Sequence, residues 1–158
     1  MEKKTSSVER VTTALNELNI STQVKELPQS TKTASEAAIA VGSQVGQIVK
    51  SLLFQTRHTK KPLLILTSGA NQVNEQVVGD IIGEEIKFAS ASFVREQTGF
   101  AIGGVSPFGL KKKILTFIDE DLLSYLIIWA AAGSHNAVFS INPEVLVSTT
   151  NGRVIAVK

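Results

Sequence analysis

The chain has 158 residues, of which 43% are hydrophobic and 19% charged, and it contains no cysteine. That excludes a disulfide scaffold, a cysteine-ligated zinc or iron–sulfur site and thiol catalysis, and it argues against disorder. With 16 Lys and Arg against 14 Asp and Glu the net charge is only +2, so any nucleic-acid footprint must be a local patch.

The length suits one domain over residues 1–158. His58 and His135 are the only histidines, so no metal site and no cofactor is expected. Residues Met1–Ser7 are polar and do not read as a signal peptide. The longest apolar stretch, within Leu122–Ala132, is broken by Ser124 and is shorter than the ~20 residues a membrane helix needs. A soluble cytoplasmic protein with no membrane partner is expected.

Ser6-Ser7-Val8-Glu9 reads as a capping box, and Val8, Val11, Leu15 and Leu18 recur at helical spacing up to Asn19. Ser21–Leu27 alternates and stops at Pro28, which predicts a strand. Thr33-Ala34-Ser35-Glu36 opens a second, Ala-rich helix ending at Gly42. Ile48–Gln55 and Leu63–Thr67, joined by a polar connection, predict a hairpin. A helix over Asn74–Ile82 stops at Gly83, and a short strand covers Ile86–Phe88. A short helix over Ser92–Gln97 ends at Gly99. Strands are predicted at Ile114–Ile118, Leu126–Ala131 and Ala137–Ile141, with a short helix at Glu120–Tyr125. Asn142-Pro143 starts a last helix, and Val154–Val157 forms a final strand. Helices and strands do not alternate strictly, so the fold class is α+β with a mixed sheet.

Three features carry possible chemistry. Lys50 shares a strand face with Ile48, Leu52 and Phe54. A lysine there either packs its stem and leaves its amine in solvent, or serves a wet pocket. Thr98–Gly109 holds four glycines and a proline, which permits positive φ and close approach of a ligand to backbone amides, or simply makes a turn. It lacks the endings of a P-loop and the spacing of a dinucleotide fingerprint. Lys111, Lys112 and Lys113 follow directly, as a solvated turn or as phosphate contacts, with Arg57, Lys60 and Lys61 as possible additions. The third feature is the turn Ala132-Gly133-Ser134-His135-Asn136 between two strands, where adjacency of Ser134 and His135 does not make a nucleophile–base pair.

The run Gly99-Phe100-Ala101-Ile102-Gly103-Gly104-Val105-Ser106-Pro107-Phe108-Gly109, with Lys50 upstream and Gly133 downstream, resembles the YbaK/ProX family. These are free-standing relatives of the editing domain inserted in bacterial prolyl-tRNA synthetase. The resemblance extends from about Ser7 to Val147. It implies a mixed, barrel-like β-sheet flanked by helices, and hydrolysis of amino acids wrongly attached to tRNA. It implies that Lys50 helps hold the aminoacyl-adenosine end, and that Gly103, Gly104, Val105, Ser106 and Pro107 line the reaction site with their backbone groups. Phe108, Gly109, Gly133, Ser134 and His135 would complete the substrate pocket; Lys111, Lys112 and Lys113 are expected to hold tRNA because they directly follow that loop.

An aminoacyl ester is already activated. Its hydrolysis needs a positioned water and oxyanion donors more than a strong nucleophile, which suits a chain without cysteine. The expected function is therefore a trans-acting, metal-independent deacylase of mischarged tRNA. Its partners are the CCA end and, as an option, an aminoacyl-tRNA synthetase. The alternative is a non-catalytic RNA- or synthetase-binding module of the same fold. Neither the amino acid removed nor the oligomeric state is written in the sequence.

Overall fold

A computed structural model describes residues 6–158; the polar segment 1–5, read above as no signal peptide, lies outside the described residues. Helix α1 (Ser7–Glu17) is capped by Ser6, whose Oγ accepts from Glu9 N at 3.1 Å, and it buries Val11 and Leu15. Asn19 follows with φ 58°, a left-handed conformation Asn tolerates. The chain continues through β1 (Lys25–Glu26), α2 (Ala34–Val41), β2 (Ile48–Thr56) and β3 (Pro62–Ser68). Next come α3 (Glu75–Ile82), β4 (Ile86–Phe88) and α4 (Ala91–Thr98). Then follow β5 (Leu115–Asp119), a 3-10 turn at Glu120–Ser124, β6 (Ile128–Ala131), β7 (Ala137–Ile141), α5 (Pro143–Thr150) and β8 (Arg153–Ile155). Thr33, Asn74, Ser90 and Asn142 cap α2, α3, α4 and α5 through their side-chain oxygens.

The predicted mixed sheet is found. It has eight strands in the order β1-β7-β6-β2-β3-β5-β8, with β4 paired to β2. The β2–β3 hairpin is antiparallel, whereas β2–β6, β3–β5 and β5–β8 are parallel. Since β3 takes one edge of β2, β6 at Ile48–Val49 and β4 at Phe54–Thr56 share the other. Lys50–Leu53 lie where one partner strand leaves and the next arrives.

Alternation along β2 and β3 separates two cores. Val49, Leu53, Leu64 and Leu66 pack with α1, Phe100, Val105, Phe108 and Phe139 on one face. Leu63, Ile65 and Phe54 pack with Val78 of α3, Phe117 and Val157 on the other. On that second face Ile48 lies under Ala37 and Ala38 of α2.

Three predicted strands are shorter or shifted. Of Ser21–Leu27 only Lys25–Glu26 pairs with β7, because Thr22 reaches that edge through its hydroxyl, to Ser140 O at 2.7 Å, instead of through its backbone. The strand predicted from Leu126 begins at Ile128; Leu126 is 84% exposed. The last strand ends at Ile155, and buried Val157 instead offers its carbonyl to Asn74 N at 2.6 Å.

Candidate functional site

The glycine-rich loop and the turn after β6 come together. Gly104 lies so close to the turn that a Cβ there would stand 3.0 Å from Ser134 N and Cα. Gly103 and Gly133 have φ 94° and 97°, a region side chains rarely adopt, and a Cβ on Gly133 would stand 2.7 Å from Ser7 O. Together they shape a concavity of about 210 Å³ lined by Ser7, Arg95, Ala101, Ile102, Gly104, Gly133, Ser134 and His135. Val105, Ser106, Pro107 and Phe108 are buried behind it, with Val105 and Phe108 in the first core. The Gly104 amide donates to Ala101 O and the Phe108 amide to Ser106 Oγ. Among the described residues the amides of Gly103, Val105 and Ser106 form no hydrogen bond.

The turn is braced from a distance. His135 O accepts from both the amide (2.6 Å) and the hydroxyl (3.1 Å) of Thr31. Asn136 Nδ2 donates to Leu27 O, and Ser134 Oγ donates to Asn136 Oδ1. The imidazole of His135 is exposed and carries none of these bonds. Gly109, at φ 76°, closes the loop against the backbone of Arg10.

Lys50 occupies a different place. It is half-buried and issues from the face of β2 opposite the one that packs Val105 and Phe108. Its ammonium donates to Asn71 O at 2.6 Å. Burial pushes its pKa below the ordinary lysine value, and the negative charge of Asp119 pulls it back up. Asp119 is 1% exposed and accepts from Ser68 N, Asn71 Nδ2 and Asp121 N.

The segment from Thr31 to Ala34 runs between these two places. Thr31 holds His135, the stem of Lys32 lies over Gly103, and Ala34 packs beside Gly69 and Ile48 near the base of the Lys50 strand. A small void of about 30 Å³ under this segment is lined by Thr31, Thr33, Ala34, Trp129 and neighbouring apolar residues.

Lys111, Lys112 and Lys113 are exposed just past Gly109. Lys111 is tied to the loop base by its amide, which donates to Thr98 O at 3.0 Å. Close by, Arg10 donates to Gly99 O at 2.7 Å and lies 4.8 Å over the Phe100 ring. Arg57, by contrast, pairs with Glu85 at 3.4 Å in a larger concavity, about 670 Å³, with Glu75, Asp80 and Glu84 also in its wall. Four carboxylates around one arginine repel a polyanion, so size does not make this cleft the tRNA site.

Sequence reasoning missed Asn71, Asp119, Thr31, Lys32 and Arg95. Only Asp119 leaves a trace in the sequence, as a carboxylate ending an apolar strand. The others reach their places through turns whose direction no periodicity records. Among the described residues no group of three or more His, Cys, Asp or Glu converges as a metal site, and no helix is long and apolar enough to cross a membrane.

Comparison with known proteins gives the family of the chain. Residues 28–149 match the aminoacyl-tRNA editing domain. The uncharacterized protein YwhH of Bacillus subtilis is 30% identical over 140 residues, covering 89% of this chain and 88% of that protein. EbsC of Enterococcus faecalis, named as a candidate Cys-tRNA(Pro)/Cys-tRNA(Cys) deacylase, is 26% identical and covers 76% of this chain and 73% of its own. The crystal structure of a proposed trans-editing enzyme for prolyl-tRNA synthetase superposes with a TM-score of 0.91 at 42% identity, over 99% of both chains. The matched span takes in Lys50, the glycine-rich loop and the Gly133 turn, and the chain belongs to the aminoacyl-tRNA editing domain family, the YbaK/ProX group.

Proposed function

We propose that this protein is a trans-acting deacylase that hydrolyses the ester joining a small amino acid to the wrong tRNA. The reading rests above all on the three unspent amides of Gly103, Val105 and Ser106 in a loop held against Gly133 and Ser134. Water adds to the ester carbonyl carbon, and in this reading the unpaired amides of the loop supply donors to the oxyanion that develops. The bond from that carbon to the ribose oxygen then breaks. The free amino acid leaves, and the proton lost by water ends on the ribose hydroxyl. Lys50 carries positive charge and positions the aminoacyl-adenosine end; as an ammonium it is no general base. Lys111, Lys112 and Lys113 hold the phosphates behind the CCA end, where phosphate contacts fix register without reading sequence.

The name of EbsC and the proposed trans-editing enzyme for prolyl-tRNA synthetase make mischarged tRNA(Pro) the first substrate to try. The test is single-turnover hydrolysis across a panel of mischarged tRNAs, with a charged minihelix and a bare aminoacyl ester alongside. Preferential turnover of one small-residue mischarged tRNA supports the reading. Tight tRNA binding with no turnover of any ester would instead identify a binding module.

A further inference from the structure

We infer that Asp119, acting through the side chain of Asn71, is the positioning residue that fixes where the Lys50 ammonium sits. The inference rests on the reading of Lys50 as a site lysine. The acceptor that Lys50 uses is a main-chain carbonyl, Asn71 O, at 2.6 Å, and that carbonyl is clamped from both directions. The Asn71 amide donates to Ser68 O at 2.9 Å, closing a tight turn after β3. The Asn71 side-chain NH2 spends one proton on Asp119 Oδ2 and the other on Asp121 Oδ2, both at 2.8 Å. Two carboxylates leave that amide only one orientation.

Asp119 is the buried member of the pair. A carboxylate out of water is costly unless its oxygens are filled. It takes Ser68 N at 3.0 Å and Asn71 on Oδ2, and Asp121 N at 2.9 Å on Oδ1. Asp121, nearer the surface, is held by Lys158 at 3.0 Å. The charged group that acts on Lys50 is thus Asp119 from β5, while Asp121 from the following turn meets Asn71 and is itself paired with Lys158 from the C-terminal segment. On α2, which packs against β2, Glu36 is exposed and engaged by Thr33. Asp119 therefore does two things for Lys50: it fixes the carbonyl that receives the ammonium, and its charge keeps the proton on the amine against the pull of burial.

Two variants separate these roles. Asn71→Ala keeps the carbonyl but loses the clamp. Asp119→Asn keeps the shape and the Oδ2 acceptor for Asn71, but removes the charge together with the acceptor for the Asp121 amide. The titration of Lys50 is read by NMR with labelled lysine, without substrate, and the pH profile of single-turnover hydrolysis is read separately. Asn71→Ala should slow the chemical step about tenfold with tRNA affinity within about twofold. Asp119→Asn should move the Lys50 titration, and with it the alkaline limb of the rate profile, to lower pH. If Asp119→Asn does not fold, Asn71→Ala decides alone through its split between rate and affinity. An unmoved Lys50 titration in folded Asp119→Asn, or an unchanged rate in Asn71→Ala, overturns the inference. A fully active Lys50→Ala would instead overturn the role given to Lys50, and the substrate-free titration keeps the two failures apart.

Discussion

Gly104 and Ser134 lie thirty positions apart in the chain, yet a single methyl on Gly104 would stand 3.0 Å from the Ser134 backbone. Backbone atoms cannot swing aside as a side chain can, so this closeness fixes the loop and the turn as one unit. Gly104→Val should close the concavity. We expect at least a tenfold loss of single-turnover deacylation with tRNA affinity nearly kept, since the change is at the reacting end. A folded, fully active Gly104→Val would place the reaction elsewhere.

The Gly133 position tests stability. At φ 97° with Ser7 O in the way, an alanine is strained by both backbone and contact. Such strain costs about 1–3 kcal/mol. Thermal unfolding of Gly133→Ala should therefore shift down by several degrees, roughly 2–12 °C for a domain of this size. An unchanged midpoint would mean that the turn relaxes freely away from α1.

Lys50→Ala should lower deacylation at least tenfold with the fold intact, as removal of a positioned charge worth more than about 1.4 kcal/mol. Circular dichroism checks the fold and single-turnover rates the chemistry. Full activity in the folded variant refutes the assignment.

The lysine run should act on binding. Replacing Lys111, Lys112 and Lys113 with Gln should weaken tRNA affinity several-fold and flatten its salt dependence, because fewer counterions are released. The rate on saturating substrate should hardly change, since phosphate contacts serve ground and transition states alike. Affinity at two salt concentrations and one saturating rate check this; an unchanged salt slope moves the footprint, with Arg10 and Arg95 as the next cations to replace.

Chelation should leave activity intact, because the side chains that could ligate a metal do not converge among the described residues. Activity lost to EDTA and restored by zinc would show a metal-assisted hydrolysis.

A pH effect is expected at the β2–β3 hairpin. Glu84 accepts from the amides of Thr59 and His58, each at 2.7 Å, and from the Thr59 hydroxyl at 2.9 Å. The Thr59 amide above all, with the Thr59 hydroxyl and the His58 amide, holds its carboxyl below the ordinary range. A carboxylate lowered on folding contributes stability that is present above its unfolded pKa and is lost as pH falls through the folded one. The Glu84 side-chain carboxyl resonance should titrate below the ordinary glutamate range, and the Thr59 amide resonance should move with it in acid. A Glu84 carboxyl that titrates at the ordinary glutamate value, or a Thr59 amide that does not follow it, would show that Glu84 does not govern the turn.

Much of the architecture could be read in the chain because it depends on local rules. Ser6, Thr33, Asn74 and Asn142 mark helix starts where a side-chain oxygen meets a free amide, and each is a cap in the structure. The Ile48–Gln55 and Leu63–Thr67 runs pair because branched apolar residues flank a short polar connection. The Ser21–Leu27 alternation failed for the complementary reason. An edge strand is defined by what its neighbour offers, and β7 offers Thr22 a carbonyl for its hydroxyl but no ladder.

The site divides in the same way. The need for glycine at positions 103, 104 and 133 shows in the sequence, because positive φ and close approach admit little else. Which backbone each glycine meets was decided only by the sheet, which carries Ser134 and Ser7 to the loop. Lys50 stood out as a charge in an apolar row, but its anchor could not be read. Asn71 reaches it through a tight turn, and Asp119 through the parallel pairing of β3 with β5. Periodicity records which face a residue takes; only the packed chain sets which distant carbonyl or carboxylate waits on that face, because that contact is fixed by strand order and turn direction together.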